Sequence, residues 1–337
     1  MSSEREKTTC LSAQDLMSPE DRELFGTAWE ATRAHHGTNF TFYLPGMIRY
    51  GQERGRYPAI SITGNRCGLQ CEHCKGKLLE PMIASTTPDL LIRTCHRLCE
   101  NGAHGILLSG GSDLQGKLPW ETFGSAIKRI SEETGLFISA HTGFSSYDSY
   151  EILRESGVKQ ALIDVMGDEK TAALVYHLNG LKPVLHALEG IKRSGLELIP
   201  HIVAGLFYGK IHGEYAALEI ISRYQPNALV IVALTPLDET PMAHFEPPSA
   251  LEVGRLIAHA RLLMPQVAIS LGCERPRTRE GSLMERLAIR AGANRMAIWS
   301  DEAVQEARNL GLTPRFQATC CSIDYRAEFS AFTPETF

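Results

Sequence analysis

Short apolar runs alternate with longer amphipathic stretches from Tyr57 to the C-terminal region, and this alternation constrains the fold more than any other feature of the chain. Eight runs have the length and composition of buried strands: Ala59–Thr63, Gly105–Ser109, Leu136–Ala140, Gln160–Asp164, Leu198–Ala204, Ala228–Leu234, Val267–Leu271 and Arg295–Trp299. Helical periods fill the stretches between them, among them Leu90–Glu100, Trp120–Thr134, Pro183–Ser194, Gly213–Tyr224, Ser249–Leu263 and Ser282–Ala291. Because each strand is apolar throughout, we expect parallel strands covered on both faces.

The pattern predicts an α/β fold, and its simplest closed arrangement is a (β/α)8 barrel of the TIM type. An open, doubly wound sheet is the alternative, since the alternation does not decide closure. Residues 1–55 are interpreted as an N-terminal extension with a helix at Pro19–Ala34, capped by Ser18, before the aromatic stretch Phe40–Leu44. Residues 56–312 are assigned to the barrel and residues 313–337 to a C-terminal tail that carries cysteines.

Charge and hydropathy argue against nucleic acid and membranes as partners of this protein. The formal net charge of the 337 residues is −5, and Lys and Arg are scattered rather than gathered in a basic stripe, so nucleic acid is not the expected partner. No uninterrupted apolar run is long enough to cross a bilayer, and Met1–Thr9 lacks the apolar segment of a signal peptide. The sequence predicts a cytoplasmic protein without a membrane partner.

Polar and glycine residues follow the predicted strands, at the end where barrels carry their active sites. Cys67, Cys71 and Cys74 come directly after the first strand. In a reducing compartment, clustered cysteines are better metal ligands than disulfide partners. Three thiolates at this spacing can hold three corners of a four-iron cluster and leave the fourth iron open. A structural zinc site is the alternative, but it needs a fourth ligand at regular spacing, and His73 lies between two of the cysteines.

Other strand ends also carry candidate binding residues: Gly110, Gly111, Ser112, His141, Thr142, Asp164 and Gly205. The glycines permit a close approach of the backbone to a ligand. Asp164 has an equally weighted structural interpretation as a helix N-cap, which is common for Asp after a strand.

The remaining cysteines predict a second metal site. Cys273 follows the seventh strand, and Cys320 and Cys321 lie together in the tail. The three could ligate an auxiliary iron–sulfur cluster, although two adjacent cysteines reach one cluster only with strained geometry, so one of them could be a spectator. Cys10, Ser322 or the substrate could supply a further ligand. The alternative is a buried Cys273 beside an unstructured tail.

These motifs resemble the radical S-adenosyl-L-methionine (SAM) superfamily, and within it the biotin-synthase-like group. The resemblance covers nearly the whole chain and rests on residues 63–77, 108–111, 141–143, 200–201 and 271–276 and on the terminal cysteine pair. Within the group, the chain resembles a subunit of the two-component, archaeal-type lipoyl synthases.

The resemblance implies two cofactors, a 4Fe-4S cluster held by Cys67, Cys71 and Cys74, and SAM bound to its open iron. Electron transfer to SAM then yields a 5′-deoxyadenosyl radical. The resemblance also assigns the SAM amine to the Gly110–Ser112 segment, the carboxylate and ribose to the region of His141, Thr142 and Asp164, and the adenine to the Gly205 region. Ser112 replaces the usual acidic residue, with Asp113 next to it, so the group that binds the ammonium stays open.

The implied reaction is sulfur insertion into a protein-bound octanoyl chain, with the auxiliary cluster as sulfur donor. The implied partners are an octanoylated lipoyl-carrier protein, a second radical SAM subunit, and an electron donor such as ferredoxin or flavodoxin. Two departures matter: no cysteine lies between Cys99 and Cys273, unlike in biotin synthase, and Cys10 stands alone where single-chain lipoyl synthases have a cysteine triplet. The alternatives are biotin-synthase-type or other small-molecule radical SAM chemistry without sulfur insertion, and a non-catalytic metal-binding scaffold.

Overall fold

A computed structural model describes residues 17–46, 48–51 and 53–329. The helices are α1 Pro19–His36, α2 Pro88–Glu100, α3 Trp120–Thr134, α4 Tyr147–Glu155, α5 Glu169–Leu174, α6 Lys182–Ser194, α7 Glu214–Ser222, α8 Ala250–Leu263, α9 Arg279–Arg290 and α10 Asp301–Asn309. The strands are β1 Asn39–Tyr43, β2 Arg49–Tyr50, β3 Glu53–Arg54, β4 Ala59–Ser61, β5 Ile83–Ala84, β6 Gly105–Ser109, β7 Phe137–His141, β8 Gln160–Asp164, β9 Glu197–Ala204, β10 Ala228–Ala233, β11 Ala268–Leu271, β12 Arg295–Ala297 and β13 Thr313–Gln317. Two short 3-10 helices span Lys77–Leu79 and Ala327–Phe329.

One curled sheet of eleven parallel strands organises the described residues, in the order β13-β1-β12-β11-β10-β9-β8-β7-β6-β4-β5. All eight strands expected from the sequence are present, so the predicted α/β fold of the TIM type with parallel strands is confirmed. Two further strands come from outside residues 56–312. The aromatic stretch 40–43 forms most of β1, and residues 313–317 form β13 beside it.

The sheet curls without a complete hydrogen-bonded closure, because its strand order ends at β13 on one side and at β5 on the other. The expectation of a closed barrel therefore needs correction. Loop segments bridge the remaining gap: the Arg56 amide, ahead of β4, donates to the Ala318 carbonyl oxygen just after β13 at 2.9 Å. The curl encloses a space that we call the lumen.

Strand parity divides the core into two parts. Successive side chains of a strand point to opposite faces, so Val230 and Val232 of β10 face the lumen while Leu229 and Ile231 face the helices. All six residues of β10 are buried. This double burial explains why the strands read as continuous apolar runs rather than as alternating ones.

Helix ends follow the sequence signals closely. Ser18 begins α1 with a capping box, in which its side chain accepts from the Asp21 amide while Asp21 accepts from the Ser18 amide. Ser249 and Glu252 form the same arrangement at the start of α8. The predicted helix at Pro19–Ala34 and its Ser18 cap are confirmed. No helix in the described ranges combines the length and apolar character needed to span a membrane.

A buried arginine of α8 ties α1 to the connections that precede β11 and β12. The Arg261 side chain is fully buried and donates to the carbonyl oxygens of Gly292, Pro265 and Val267 at 2.7–3.0 Å. It also contacts Nε2 of His36 at 2.9 Å. Burial, together with the Arg261 charge, lowers the pKa of His36 to about 4, so this imidazole is a neutral acceptor at pH 7.

Arg261→Leu should destabilise the protein strongly, because it leaves several buried carbonyl oxygens without donors. We expect the free energy of unfolding, measured by urea denaturation, to fall by about 3 kcal/mol or more. Arg129→Leu is the matched control, since the Arg129 side chain is 58% exposed and its ion pair with Glu133 lies on the surface. The control should cost about 1 kcal/mol or less. Equal losses in both variants would contradict the assigned role of Arg261.

Candidate functional site

The three cysteines of the predicted cluster site lie on the loop that leaves β4. Cys71 is buried, and Cys67 and Cys74 are half-buried. Hydrogen bonds within the loop fix its course: the Gln70 side chain donates to the Cys67 carbonyl oxygen at 2.7 Å, and the Lys75 amide donates to that of Cys71 at 2.9 Å. The loop is therefore a defined turn structure that presents all three thiols from one end of the sheet.

The loop after β6 supports this cysteine loop from one side. The Gly111 amide donates to Thr63 Oγ1 at 2.7 Å, and the Gly68 amide donates to the Ser112 carbonyl oxygen at 2.6 Å. Gly111 touches the cysteine loop so closely that an added β-carbon would stand 2.5 Å from Cys67 Cβ. Glycine is required here because only a residue without a side chain permits this approach.

The segment after α5 supports the loop from the other side. The Glu72 amide donates to the Val175 carbonyl oxygen at 2.9 Å. His177 bridges the loop, with Nδ1 2.9 Å from the Leu69 carbonyl oxygen and Nε2 3.0 Å from a Glu72 carboxylate oxygen. Lys75 also pairs with Glu72 at 2.9 Å. The cysteine loop is thus held on one side by the loop after β6 and on the other side by the segment after α5.

The electrostatics of the cysteine loop favour a thiolate at Cys74. A hydrogen bond from the Cys71 thiol lowers the pKa of Cys74 to about 4, and the same bond together with burial raises the pKa of Cys71. Thiolates are the metal-binding form of cysteine, and an iron–sulfur cluster is held by such thiolates at separate iron corners. The sulfur-only donor set at 67, 71 and 74 therefore fits the cluster. Within the described residues, no three His, Cys, Asp or Glu side chains converge as for a single metal ion.

Polar side chains from β7, β8 and β9 meet at the carboxyl ends of these strands. Asp164 accepts a hydrogen bond from the Tyr176 hydroxyl at 2.7 Å, and the rings of His141 and His201 lie 5.1 Å apart. Burial alone would raise the pKa of Asp164, but the two nearby histidines and the Tyr176 hydrogen bond outweigh it, so the pKa lies below its ordinary value. Burial, with the neighbouring His141, lowers the pKa of His201 to about 4. The site thus contains a carboxylate beside a neutral imidazole.

The other residues predicted near SAM have different surroundings in the structure. Asp164 does not cap a helix, because Asp168 is the N-cap of α5, so that alternative is wrong. Asp113 turns its carboxylate toward its own loop, where it accepts from the amides of Gln115 and Lys117 at 2.8 and 2.9 Å. Thr142 is fully buried, with its hydroxyl 3.2 Å from the Gly143 carbonyl oxygen.

Gly205 follows β9 in a left-handed conformation, with a φ of 77°. Its amide donates to a carboxylate oxygen of the buried Glu214 at 2.7 Å. Burial raises the pKa of Glu214, although four backbone hydrogen bonds oppose that shift. These contacts give Gly205 a structural role in the turn, and its part in adenine binding stays a prediction.

The cysteines of the predicted auxiliary site influence one another's pKa values. The Cys321 thiol hydrogen-bonds to Cys320 and lowers the pKa of Cys320 to about 6. Cys273 is solvent-accessible but surrounded by protein atoms, and this desolvation, with the nearby Cys320 charge, raises its pKa to about 11. Cys10 lies outside the described residues. A second cluster stays a prediction.

A cavity of about 880 Å³ opens beside the cysteine loop, lined by Cys67, Gly111, Ser112, Lys117, Glu121 and Ser149 among others. It borders the cluster site but does not reach His141, Asp164 or His201, which lie at the ends of strands farther along the sheet. The cavity is therefore adjacent to the cysteine loop and to Gly111 and Ser112 rather than to the polar strand ends.

Sequence reasoning missed three residues of this site. Tyr176 and His73 lie close together, with ring centres 5.2 Å apart, and both act on Asp164. His201 contributes to the resemblance through residues 200–201, but its register opposite Asp164 on the neighbouring parallel strand is what brings it into the site. Tyr176 lies in the loop between α5 and α6, where the sequence has no periodic hydrophobic pattern that could have predicted its position.

Comparisons with known proteins agree with this geometry. The Biotin and Thiamin Synthesis associated domain family matches residues 230–321. A biotin synthase of Alkaliphilus metalliredigens is 24% identical over 246 residues, which are 70% of this chain and 74% of the relative. A biotin synthase of Thermodesulfovibrio yellowstonii is 22% identical over 224 residues, 64% of this chain and 69% of that protein.

Two solved structures share the fold over most of the chain. A methylornithine synthase superposes with a TM-score of 0.63 at 18% identity, covering 90% of this chain and 94% of that one. The FeFe-hydrogenase maturase HydG from Carboxydothermus hydrogenoformans gives a TM-score of 0.62 at 16% identity, covering 90% and 74%. The sequence and family similarities support the radical SAM superfamily as the class of this protein. Within that class they support the biotin-synthase-like proteins.

Gly111→Ala should disturb the cysteine loop, because the new β-carbon meets Cys67 and the Arg66 carbonyl oxygen. Such overpacking costs about 1–3 kcal/mol unless the loop moves, so we expect most of the bound iron to be lost after anaerobic reconstitution. Gly110→Ala is the matched control, since its nearest neighbour would be 3.1 Å away. Iron and sulfide analysis measures the difference in cluster content between the two variants. Full iron loading of Gly111→Ala would contradict the proposed close contact between Gly111 and Cys67.

The buried His201 should make stability depend on pH. Its pKa of about 4 lies below the ordinary value of 6.5, so the unfolded state binds more protons between these values and stability falls as the pH drops through that window. His201→Gln should reduce this slope by up to about 1.4 kcal/mol per pH unit. Urea denaturation from pH 4.5 to 7.5 tests it, with His186→Gln, an exposed position on α6, as control. An unchanged slope in His201→Gln would show that the ring titrates normally.

Proposed function

We propose that this protein is a radical SAM enzyme of the biotin-synthase type. It would cleave SAM reductively and use the 5′-deoxyadenosyl radical to remove a hydrogen atom from an unactivated carbon. One observation carries this proposal: Cys67, Cys71 and Cys74 sit on a loop that is hydrogen-bonded to the glycine loop after β6. A cluster held by three thiolates supplies the electron and an open coordination position when it is bound.

The chain's own residues have separable tasks in this proposal. Cys67, Cys71 and Cys74 hold the cluster, and the Gly110–Ser112 loop lies beside it. Because the Asp113 carboxylate already accepts two amides of its own loop, we assign the SAM ammonium to main-chain carbonyl oxygens rather than to a side chain. Asp164 is the carboxylate at the neighbouring strand ends, and its lowered pKa keeps it an acceptor for ribose hydroxyls at pH 7.

For the particular reaction we propose sulfur insertion into a protein-bound octanoyl chain, as a subunit of a two-component lipoyl synthase. Each insertion breaks one C–H bond and forms one C–S bond, so it requires a sulfur donor as well as the radical. The electrostatic interaction between Cys273 and Cys320 supports a second cluster in that role. The proposed partners are an octanoylated lipoyl-carrier protein, a second radical SAM subunit, and a ferredoxin or flavodoxin in the cytoplasm.

The second candidate is biotin-synthase-type chemistry on a small molecule, including reactions without sulfur insertion. The names of the curated relatives and the match of residues 230–321 favour it. It needs no function for the tail cysteines. The two candidates therefore share the SAM site and differ in what the second group of cysteines does.

Anaerobically reconstituted protein with SAM, dithionite and an octanoylated carrier, alone and with its partner subunit, should form 5′-deoxyadenosine and a thiolated octanoyl chain, both measured by mass spectrometry. Cys71→Ala should form neither, because the cluster loses a ligand. The outcome that rejects octanoyl sulfur insertion is 5′-deoxyadenosine without a thiolated product, which favours the small-molecule candidate. Absence of 5′-deoxyadenosine in all mixtures would reject radical SAM chemistry itself.

A further inference from the structure

His177 contacts the cysteine loop at two points, one on each side of Cys71. Its Nδ1 is 2.9 Å from the Leu69 carbonyl oxygen, and its Nε2 is 3.0 Å from Oε1 of Glu72. Leu69 lies between the first two cysteines of the loop, and Glu72 lies between the second and the third. One imidazole ring therefore joins the two segments that flank Cys71. We call this pair of contacts the His177 bridge.

Both partners of the ring can only accept hydrogen bonds. A carbonyl oxygen has no proton to donate, and the Glu72 carboxylate is ionised at pH 7, where it pairs with Lys75 at 2.9 Å. An imidazole ring carries a hydrogen on each nitrogen only when it is protonated. The two contacts are therefore both hydrogen bonds only in the imidazolium form. A neutral His177 ring would direct a lone pair at one of the two oxygens.

The backbone around this bridge is strained. Gln70, Lys75 and His177 have φ angles of 50°, 46° and 56°, in the left-handed region that residues other than glycine rarely adopt. Two of their side chains bind the loop itself: Gln70 donates to the Cys67 carbonyl oxygen at 2.7 Å, and Lys75 donates to that of Gln70 at 2.8 Å. Such strain persists where the surrounding contacts over-determine a conformation, and it is concentrated at active sites. The strain therefore favours a functional role for the bridge.

The charged groups near the ring belong to the cysteine loop. Oε1 of Glu72 accepts from Lys75 as well as from His177. The loop also carries three thiols and His73, whose ring packs against Tyr176 instead. The ring's own segment, residues 175–181, has no acidic or basic side chain besides His177. Because the His177 side chain is 38% exposed, its ring exchanges protons with the solvent.

We propose that His177 is a positioning residue for the SAM cluster, whose protonated ring holds the cysteine loop on both sides of Cys71. This inference rests on the cluster of the proposed function. With both hydrogen bonds in place, the loop around Cys71 keeps the course that the cluster needs. When the ring loses its proton, one of the two hydrogen bonds is lost, and the loop opens more readily. The bridge is therefore complete at mildly acidic pH and weaker at alkaline pH.

The rate of iron release from the full-length chain measures the bridge. Anaerobically reconstituted protein is mixed with excess iron chelator at about pH 5.5 and at about pH 8, on either side of the range in which histidine loses its proton. His177→Gln is neutral at both pH values, whereas His177→Arg keeps a charge and several donors at both. His186→Gln, at an exposed position of α6, is the matched control. Since protonation of the thiolates affects all proteins alike, each rate is divided by that of the unchanged protein at the same pH.

We expect His177→Gln to release iron about fivefold faster than the unchanged protein at the acidic pH, because a hydrogen bond to a charged group is lost. At the alkaline pH the two rates should nearly agree. His177→Arg should match the unchanged protein at the acidic pH and release iron more slowly at the alkaline pH. His186→Gln should match it at both.

A His177→Gln ratio that is the same at both pH values, whether one or larger, would overturn the proposal, because a contact that only packs does not follow the proton of the ring. If His177→Gln takes up no cluster, His177→Arg decides alone, and a ratio of one at both pH values would overturn the proposal. An unchanged protein that takes up no iron would instead reject the SAM cluster of the proposed function, and the bridge with it.

Discussion

The contact between two loops at Gly111 is the constraint on which the candidate site depends. The cysteine loop leaves β4 and the glycine loop leaves β6, and these strands are neighbours in the sheet. Their loops touch because position 111 carries no side chain, and two amide hydrogen bonds, from Gly111 and Gly68, fix the contact. The contact at Gly111 therefore positions the thiols relative to the backbone that would receive SAM, while Val175 and His177 hold the other side of the cysteine loop.

Strand parity determines which residues can take part in the chemistry. Every second side chain of a parallel strand points into the lumen, so His141, Asp164 and His201 come together from three neighbouring strands that are far apart in sequence. Deeper positions of the same strands carry apolar or hydrogen-bonding side chains, such as Leu162, Ile199 and Gln160. The lumen thus changes from a packed interior at its base to a polar group at the carboxyl ends, where a ligand can bind.

The sequence predicts the strands and helices well because their signals are local. Continuous apolar runs mark strands covered on both faces, and Ser18 with Asp21 marks a helix start. It predicts β1 and β13 poorly: β1 is a single aromatic run in an otherwise polar extension, and only pairing with β12 and with β13 makes it a sheet strand. The site is predicted where motifs are compact, as at Cys67–Cys74. A contact such as that of Tyr176 with Asp164 depends on how the loop after α5 packs against the strand ends. Hydrophobic periodicity in the sequence does not predict the packing of a loop.

Residues 318–324 connect the integrity of the fold with the cysteines of the predicted auxiliary site. The first of them, Ala318, accepts a hydrogen bond from Arg56 across the gap that the strand ladder leaves, and the next residues fill the lumen and bind Arg295. The segment thus substitutes for the missing closure between the two sides of the sheet. Because Cys320 and Cys321 belong to this same segment, their positions follow from its docking. Withdrawal of residues 318–324 would open the gap and expose the apolar lumen.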